Sequence, residues 1–231
     1  MTKAVVLLSG GIDSTTCLAL AVREYGVENV YALNIHYGQK HARELQSAQN
    51  VADHYGVSYV VMDLAGIMKF SDSPLLKGSS RQIKHQSYAE QLEALGGSGT
   101  VDTYVPFRNG LMLSAAAAYA LSVGAEIIYY GAHKDDAAGR AYPDCTEDFA
   151  SYMDQAIFEG SGQKVHLEAP LINLNKATVV AVGLANKAPY ELTWSCYEGG
   201  EEPCGTCGTC IDRAAAFASN GVADPALHKA E

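Results

Sequence analysis

The sequence predicts an α/β fold built on an open, mainly parallel sheet with helices on both faces. Short apolar runs alternate with helical stretches from Ala4 to Met62, and glycine-rich or polar loops separate them. Such alternation produces right-handed crossovers and therefore parallel strands. The chain has 231 residues, 48% of them apolar and 18% charged. This composition allows a sizeable core and excludes a disordered or fibrous protein.

The first predicted unit is a buried strand, a tight loop and a helix. The strand covers residues 4–8 (AVVLL), the loop contains Gly10 and Gly11, and helical spacing continues from Asp13 through Val22. Asp13 stands where a helix cap is favoured. The remaining strands are expected over residues 30–35, 59–62 and 127–130, and the remaining helices over residues 43–55, 111–121, 149–157, 177–186 and 211–218.

Residues 70–102 interrupt this alternation, because they contain the Ser- and Gly-rich stretches SDSPLLKGSS and GGSGT. A stretch of this length and composition is typical of a mobile surface insertion that acts as a lid. We therefore expect residues 1–190 to form one α/β domain carrying this insertion. Residues 191–231 are expected to form a metal-binding region packed on it. Asp144 is the candidate cap of the helix over 149–157.

The loop between the first strand and the first helix reads SGGIDSTT. Glycines there allow close backbone approach, and a helix N-terminus at the carboxyl ends of parallel strands favours a phosphate. Neither GxxxxGK(S/T) nor GxGxxG is present. The pattern instead resembles the pyrophosphate loop of the ATP pyrophosphatases. The resemblance implies ATP, an adenine nucleotide alpha hydrolase-like fold, and an ATP pyrophosphatase-like α/β domain over residues 1–190. The predicted ATP-binding residues are Leu8, Ser9, Gly10, Gly11, Ile12, Asp13, Ser14, Thr15 and Thr16.

This loop contains no lysine that would reach the terminal phosphates. Its N–H groups and a Mg²⁺ ion must then hold the pyrophosphate leaving group. Asp13 is the candidate residue near that metal, and a role as helix cap explains it equally well.

Four of the six cysteines fall within fifteen residues, in the pattern C-x7-C-x2-C-x2-C. Four thiolates are the usual ligands of one structural Zn²⁺ ion, and an iron–sulfur cluster also takes four. The predicted metal ligands are Cys196, Cys204, Cys207 and Cys210. Cys17 is expected to pack in the core, whereas Cys145 beside Asp144 remains open between a reactive and a structural thiol.

The charge balance restricts the partners. Lys plus Arg number 16 against 26 for Asp plus Glu, a formal charge of -10, which disfavours a generic nucleic-acid binder. No apolar run reaches the length of a membrane span, and no signal peptide is recognised. We expect a cytoplasmic enzyme acting on small molecules, without nucleic acid or membrane, and a homodimer is compatible with the sequence.

Further motifs occur in a fixed order along nearly the whole chain. They are YGQKH (37–41), VPFRN (105–109), GAHxDD (131–136), YPDC (142–145), APL with a following Lys (169–176), and TWSCYEGGxxPCGxCGTCxxR (193–213). Together with the glycine loop they resemble the 7-cyano-7-deazaguanine synthase family. The resemblance implies ATP-dependent conversion of 7-carboxy-7-deazaguanine and ammonia to the 7-nitrile, for queuosine or archaeosine.

Within these motifs, several polar residues lie in loops that follow strands or precede helices, where a site is expected. The predicted substrate-binding residues are Tyr37, Arg108, Asp135, Asp136, Tyr142 and Asp144, and the predicted catalytic residues are Asp13, Arg108 and Lys176. Arg108 as a surface ion pair and Lys176 as an exposed helix residue are the plainer alternatives. His36, His41 and His133 are candidate acid–base groups, although free ammonia requires none.

Two other functions compete with this one. A tRNA-thiolating or lysidine-forming enzyme of the same loop family would be expected to show a basic face, which the charge balance does not favour. A zinc-ribbon binding module would explain the cysteines and leave the SGGIDST loop without a purpose.

Overall fold

The computed structural model describes residues 1–40 and 42–227; His41, which ends the YGQKH motif, and residues 228–231 lie outside these ranges. The described ranges contain one sheet of five strands, in which every neighbouring pair is parallel. The strands are β1 (Ala4–Leu7), β2 (Val30–His36), β3 (Ser58–Asp63), β4 (Ile127–Tyr129) and β5 (His166–Glu168). Their order is β3-β2-β1-β4-β5, which confirms the predicted parallel sheet.

The fifth strand was not predicted. β5 has only three residues, of which Leu167 alone is buried. It pairs with β4 through Ile127 opposite His166 and Tyr129 opposite Glu168. One buried side chain gives no periodic pattern in the sequence. The strand forms because these residues pair with β4 at the edge of the sheet.

Helices cover both faces of the sheet, as predicted. On one face Leu18, Val51, Val179 and Phe217 share a core with Val6 of β1. On the other face, helices pack against Val5, Leu33 and Ile128. The helices are α1 (Ile12–Tyr25), α2 (Arg43–Tyr55), α3 (Ala65–Met68), α4 (Tyr88–Ala94), α5 (Arg108–Val123), α6 (Lys134–Ala137), α7 (Glu147–Gly160), α8 (Lys176–Ala185) and α9 (Gly208–Ser219).

Two predicted helix caps are wrong. Gly11 is the N-cap of α1, and Asp13 lies inside the first turn with its carboxylate directed to Lys176. Thr146 caps α7, since its Oγ1 accepts from the Phe149 N–H at 3.2 Å. The Asp144 carboxylate instead accepts the Asn109 N–H in the first turn of α5.

Residues 70–102 pack against the cysteine region, which is the 191–231 segment that contains the four clustered cysteines. Leu75, Leu76 and Ile83 are buried in one cluster with Cys196 and Cys207. The cysteine region in turn contacts the phosphate loop, because the Trp194 N–H donates to the Gly10 carbonyl at 2.9 Å. Among the described residues no helix is both long enough and apolar enough to cross a membrane.

Candidate active site and metal centre

A cavity of about 720 Å³ opens at the carboxyl ends of β1 and β4. The strand order reverses between these two strands, and ligands of open α/β sheets bind at such a point. Most of the predicted site residues meet there. The predicted residues that line the cavity are Ser9, Gly11, Ile12, Asp13, Ser14, Tyr37, Arg108, Asp135, Asp136 and Lys176.

Glycine is needed at the two loop positions for different structural reasons. Gly10 has φ +85°, and a Cβ there would lie 2.6 Å from the Ala48 nitrogen and 2.7 Å from the Glu44 carbonyl oxygen of α2. A Cβ on Gly11 would meet nothing closer than 3.6 Å, and Gly11 faces the cavity. Protein packing therefore requires Gly10, whereas the open space at Gly11 fits close approach of a ligand to the backbone.

The end of the predicted ATP loop faces the core instead of the cavity. Thr15 and Thr16 are fully buried, and the Thr16 hydroxyl lies 2.8 Å from the Ile12 carbonyl and 2.7 Å from the Tyr190 hydroxyl. Leu8 is buried as well. These residues hold α1 in place, and its first turn presents N–H groups that have no partner within the helix.

The Lys176 ammonium is bound by the Asp13 carboxylate, at 2.7 Å from Oδ1 and 2.6 Å from Oδ2. The buried His133 lies beside them, with Nε2 3.4 Å from the Lys176 Nζ and 3.3 Å from an Asp136 oxygen. The exposed Asp135 accepts the Lys176 backbone N–H at 2.7 Å, which fixes the start of α8. Five residues from three segments thus form one polar network.

Charge in this network shifts the carboxyl groups in opposite directions. Burial raises the pKa of Asp13, but the Lys176 ammonium and His133 outweigh this effect, so the pKa lies below its ordinary value. Burial raises the pKa of Asp136, and His133 and Lys176 only partly offset it. Asp13 is therefore the carboxyl group of this network that the neighbouring cation keeps ionised at neutral pH.

Arg108 and Tyr37 form the second polar group of the cavity. The guanidinium carbon lies 5.0 Å from the centre of the Tyr37 ring, and Nη1 donates to the Tyr37 hydroxyl at 3.3 Å. Glu44 lines the same part of the cavity. Burial raises the pKa of Glu44 to about 7, with Arg108 acting in the opposite direction. A planar cation, a ring and a carboxyl group are suited to a flat, hydrogen-bonding ligand.

Tyr142 and Asp144 are buried behind the cavity and are not among its lining residues. The Tyr142 hydroxyl lies 2.6 Å from the Thr103 Oγ1. Asp144 Oδ2 accepts the Asn109 N–H at 2.9 Å, which holds the start of α5 beside Arg108. Cys145 does line the cavity. Burial raises the pKa of its thiol well above the ordinary value, which is opposite to what activates a nucleophilic cysteine.

Several lining residues were not singled out by sequence reasoning. Trp194, Ser195 and Tyr197 belong to the quoted 193–213 motif, whereas Glu44, Tyr88 and Asp212 are brought to the cavity by long-range packing. His36, the other described candidate histidine, pairs with Asp63 at 3.3 Å away from the lining residues. The additional polar and aromatic lining residues include Glu44, Tyr88, Trp194, Ser195, Tyr197 and Asp212.

The four predicted metal ligands converge as expected. The sulfur atoms of Cys196, Cys204, Cys207 and Cys210 all lie within 4.8 Å of one another. Backbone N–H groups already donate to two of these sulfurs, from Cys204 to Cys196 and from Cys207 to Cys204, both at 3.3 Å. Donation to sulfur favours the thiolate form that metals bind. The donor set therefore fits a metal ion. Cys17, by contrast, is fully buried in the core, as predicted.

This sheet order, with an SGGIDS loop at the point of reversal and the loop's cation supplied from α8, defines the class as a PP-loop α/β enzyme. Within that class, the chain belongs to the family described as "Queuosine biosynthesis protein QueC", whose family model matches residues 3–221. The resemblance predicted from the motifs is thereby confirmed.

Two similar curated relatives are named 7-cyano-7-deazaguanine synthase. A 7-cyano-7-deazaguanine synthase from Archaeoglobus fulgidus is 41% identical over 230 residues, covering 99% of this chain and 91% of the relative. Another, from Oceanobacillus iheyensis, is 41% identical and covers 96% of each chain. Among solved structures, the U34-tRNA thiolase NcsA from Methanococcus maripaludis with its 4Fe-4S cluster aligns at TM-score 0.52 and 15% identity, covering 95% of this chain and 67% of that one. That likeness concerns the fold alone.

Proposed function

We propose that this chain converts 7-carboxy-7-deazaguanine and ammonia to 7-cyano-7-deazaguanine, with ATP as the activating substrate. The observation that carries the proposal is a single cavity joining the open side of Gly11 to the Arg108–Tyr37 pair. A volume of about 720 Å³ lies in the range of natural ligand cavities. The curated relatives bear the name of this activity over nearly the whole chain.

The chemistry requires two activations. A carboxylate oxygen attacks the α-phosphorus of ATP, and pyrophosphate leaves. Ammonia then attacks the carbonyl carbon, AMP leaves with that oxygen, and one proton is lost to give the amide. The amide oxygen attacks a second ATP in the same way, and departure of the second AMP with two protons leaves the nitrile. One phosphate loop beside one base site serves both steps, because both substrates are activated at oxygen.

Lys176 and Asp13 are the proposed catalytic residues at the phosphates. The ammonium neutralises charge that develops on the phosphate oxygens, and such preorganised charge is a large term in catalysis. Asp13 and Asp136 each place a carboxylate oxygen near the His133 Nε2, at 3.7 and 3.3 Å. These two residues fit Mg²⁺, which prefers oxygen ligands and would neutralise the pyrophosphate leaving group.

Arg108 and Tyr37 are the proposed contacts of the substrate base and its carboxylate. A guanidinium binds a carboxylate through two parallel hydrogen bonds. The Tyr37 ring packs against the Arg108 guanidinium, whose carbon lies 5.0 Å from the ring centre. Asp135 and Asp136 line the same cavity. Asp144 and Tyr142 support this site from behind, through the first turn of α5 and through Thr103.

The metal of the cysteine cluster is proposed to be one structural Zn²⁺ ion per chain. Four thiolates around a tetrahedral ion with Zn–S bonds of about 2.3 Å are separated by roughly 3.8 Å. The sulfur separations of at most 4.8 Å are compatible with that arrangement. All four ligands come from the protein, which leaves no position for a substrate.

The proposed substrates are small molecules, and no nucleic acid is required, in line with a formal charge of -10. A cytoplasmic location and a homodimer remain predictions, the latter testable by light scattering during size-exclusion chromatography. The function is tested by incubating the metal-loaded protein with the base, ATP and ammonium, omitting each in turn. Pyrophosphate release and a nitrile product are expected only in the complete mixture. Folded protein that forms no nitrile would overturn the proposal.

A further inference from the structure

One wall of the cavity comes from two segments that are far apart in sequence. Tyr88, at the start of α4, and Tyr197, directly after the metal ligand Cys196, both line it. Their hydroxyl oxygens lie 2.6 Å apart. The Tyr88 ring also packs edge-on against Tyr142, with the ring centres 5.6 Å apart. These contacts are not explained by the phosphate loop or by the metal ligands alone.

The segment that carries Tyr88 contacts the cysteine loop, residues 196–210 of the cysteine region, at several points. His85 Nδ1 lies 2.6 Å from the Thr206 hydroxyl, and its Nε2 lies 3.1 Å from a Glu198 oxygen. A Cβ on Gly208 would lie 2.9 Å from the Gln86 carbonyl oxygen and 3.2 Å from the Tyr88 ring. The glycine therefore permits close approach, and the cysteine loop determines where Tyr88 stands.

The start of α4 is also fixed from its own side. The Ser87 hydroxyl accepts the Glu90 N–H at 3.2 Å, and a Glu90 oxygen accepts the Ser87 N–H at 2.8 Å. Such a reciprocal cap holds the first turn of a helix in one orientation. Tyr88 thus projects from a rigid point into the cavity.

We propose that Tyr88 and Tyr197 form a hydroxyl pair that closes the cavity over the substrate base, and that the metal-organised cysteine loop sets the position of this pair. The inference rests on the proposed function and adds two specificity-determining residues to it. On this proposal the metal centre affects two properties of the protein, namely the stability of the cysteine loop and the affinity for the base.

The chemistry of the pair suits a flat heterocycle. When one phenol donates to the other, the accepting phenol has a second proton of its own, which a ligand carbonyl can accept. A tyrosine phenol ordinarily keeps its proton at neutral pH, so the pair has two hydroxyl protons to donate. The phenol rings provide apolar faces and edges for a planar base.

The test uses the metal-loaded protein of residues 1–231. Tyr88→Phe, Tyr197→Phe and the double variant are compared with Tyr152→Phe, a change at an exposed tyrosine on α7. Dissociation constants for 7-carboxy-7-deazaguanine and for ATP are measured separately by calorimetry, along with kcat and the metal content. Each single variant is expected to weaken base binding about five- to tenfold, because it removes the shared hydrogen bond. ATP affinity and metal content should stay unchanged.

The double variant separates a pair from two independent contacts. It should bind the base no more than about twofold more weakly than either single variant, since the hydrogen bond is lost only once. Gly208→Ala should weaken base binding with the metal retained, whereas Gly160→Ala, where a Cβ meets nothing within 4 Å, should not. Unchanged base affinity in both tyrosine variants, or an equal loss of ATP affinity, would overturn the inference. A wild-type protein that binds no base at all would instead overturn the proposed function.

Discussion

The Lys176 ammonium binds both carboxylate oxygens of Asp13, at 2.6 and 2.7 Å, although the two residues are 163 positions apart. The contact joins the first turn of α8 to the first turn of α1. The phosphate loop has no lysine of its own, and the fold supplies one from a distant helix. This relationship turns a sequence motif that lacks a cation into a site that has one.

Replacing Lys176 tests its role at the phosphates. Lys176→Met is expected to lower kcat at least about 100-fold, because it removes a preorganised positive charge, while circular dichroism shows an intact fold. Lys164→Met, at an exposed position, is the matched control and should retain full turnover. Wild-type pyrophosphate release by Lys176→Met would exclude the residue from the mechanism.

The two loop glycines should respond differently to alanine. Gly10→Ala is expected to destabilise the fold by at least about 2 kcal/mol, since it combines a left-handed backbone with collisions against α2. Gly11→Ala should leave the thermal midpoint nearly unchanged and weaken ATP binding, because the added methyl group occupies the open side of the loop. Paired thermal melts and ATP titrations measure both effects. Equal ATP affinity in Gly11→Ala and the wild type would contradict the assignment of the open side to nucleotide.

The cysteine cluster predicts one Zn²⁺ ion per chain by elemental analysis. Cys207→Ser should lose the metal and unfold at lower temperature, since structural metal binding contributes directly to folding. Cys145→Ser is the control, and it should keep the full metal content because Cys145 lies outside the cluster. Iron in protein purified without oxygen, instead of zinc, would contradict the assignment.

Glu44 predicts a pH dependence of stability. Burial raises its pKa from 4.5 to about 7 in the folded state, so the folded protein keeps a proton that the unfolded chain has already lost. The contribution of this group to stability therefore falls as pH rises towards 7 and is constant above it. Glu44→Gln has no such proton. Its stability relative to the wild type should increase by about 2 kcal/mol between about pH 5.5 and pH 8.5.

Urea unfolding at several pH values measures this difference. Glu159→Gln, at an exposed position on α7, should show none of it. A difference between Glu44→Gln and the wild type that does not vary with pH would contradict the raised pKa.

Much of the fold could be predicted because the relevant signals are local. The apolar runs of β1, β2, β3 and β4 and the cysteine spacing are each visible in short windows of sequence. β5 could not be predicted, since Leu167 is its single buried residue. The caps at Asp13 and Asp144 were wrong because both carboxylates bond to partners from other helices, Lys176 and Asn109.

The residues of the candidate site also divide into those that a local motif predicts and those that only packing brings together. Ser9, Gly11 and Asp13 belong to one motif and could be predicted to act together. Glu44 and Tyr197 could not, because only packing of α2 and of the cysteine loop against the sheet brings them into the cavity. The different space around Gly10 and Gly11 could not be predicted either, because it depends on α2, which packs closely against Gly10 and not against Gly11.

The central claim is that both carboxylate oxygens leave on AMP, and isotope transfer tests it most directly. The base is supplied with ¹⁸O in both carboxylate positions, and the AMP formed during turnover is analysed by mass spectrometry. The account predicts two AMP molecules for each nitrile, each carrying one ¹⁸O atom. Nitrile formation with ¹⁸O released into water or inorganic phosphate, and with unlabelled AMP, would contradict it.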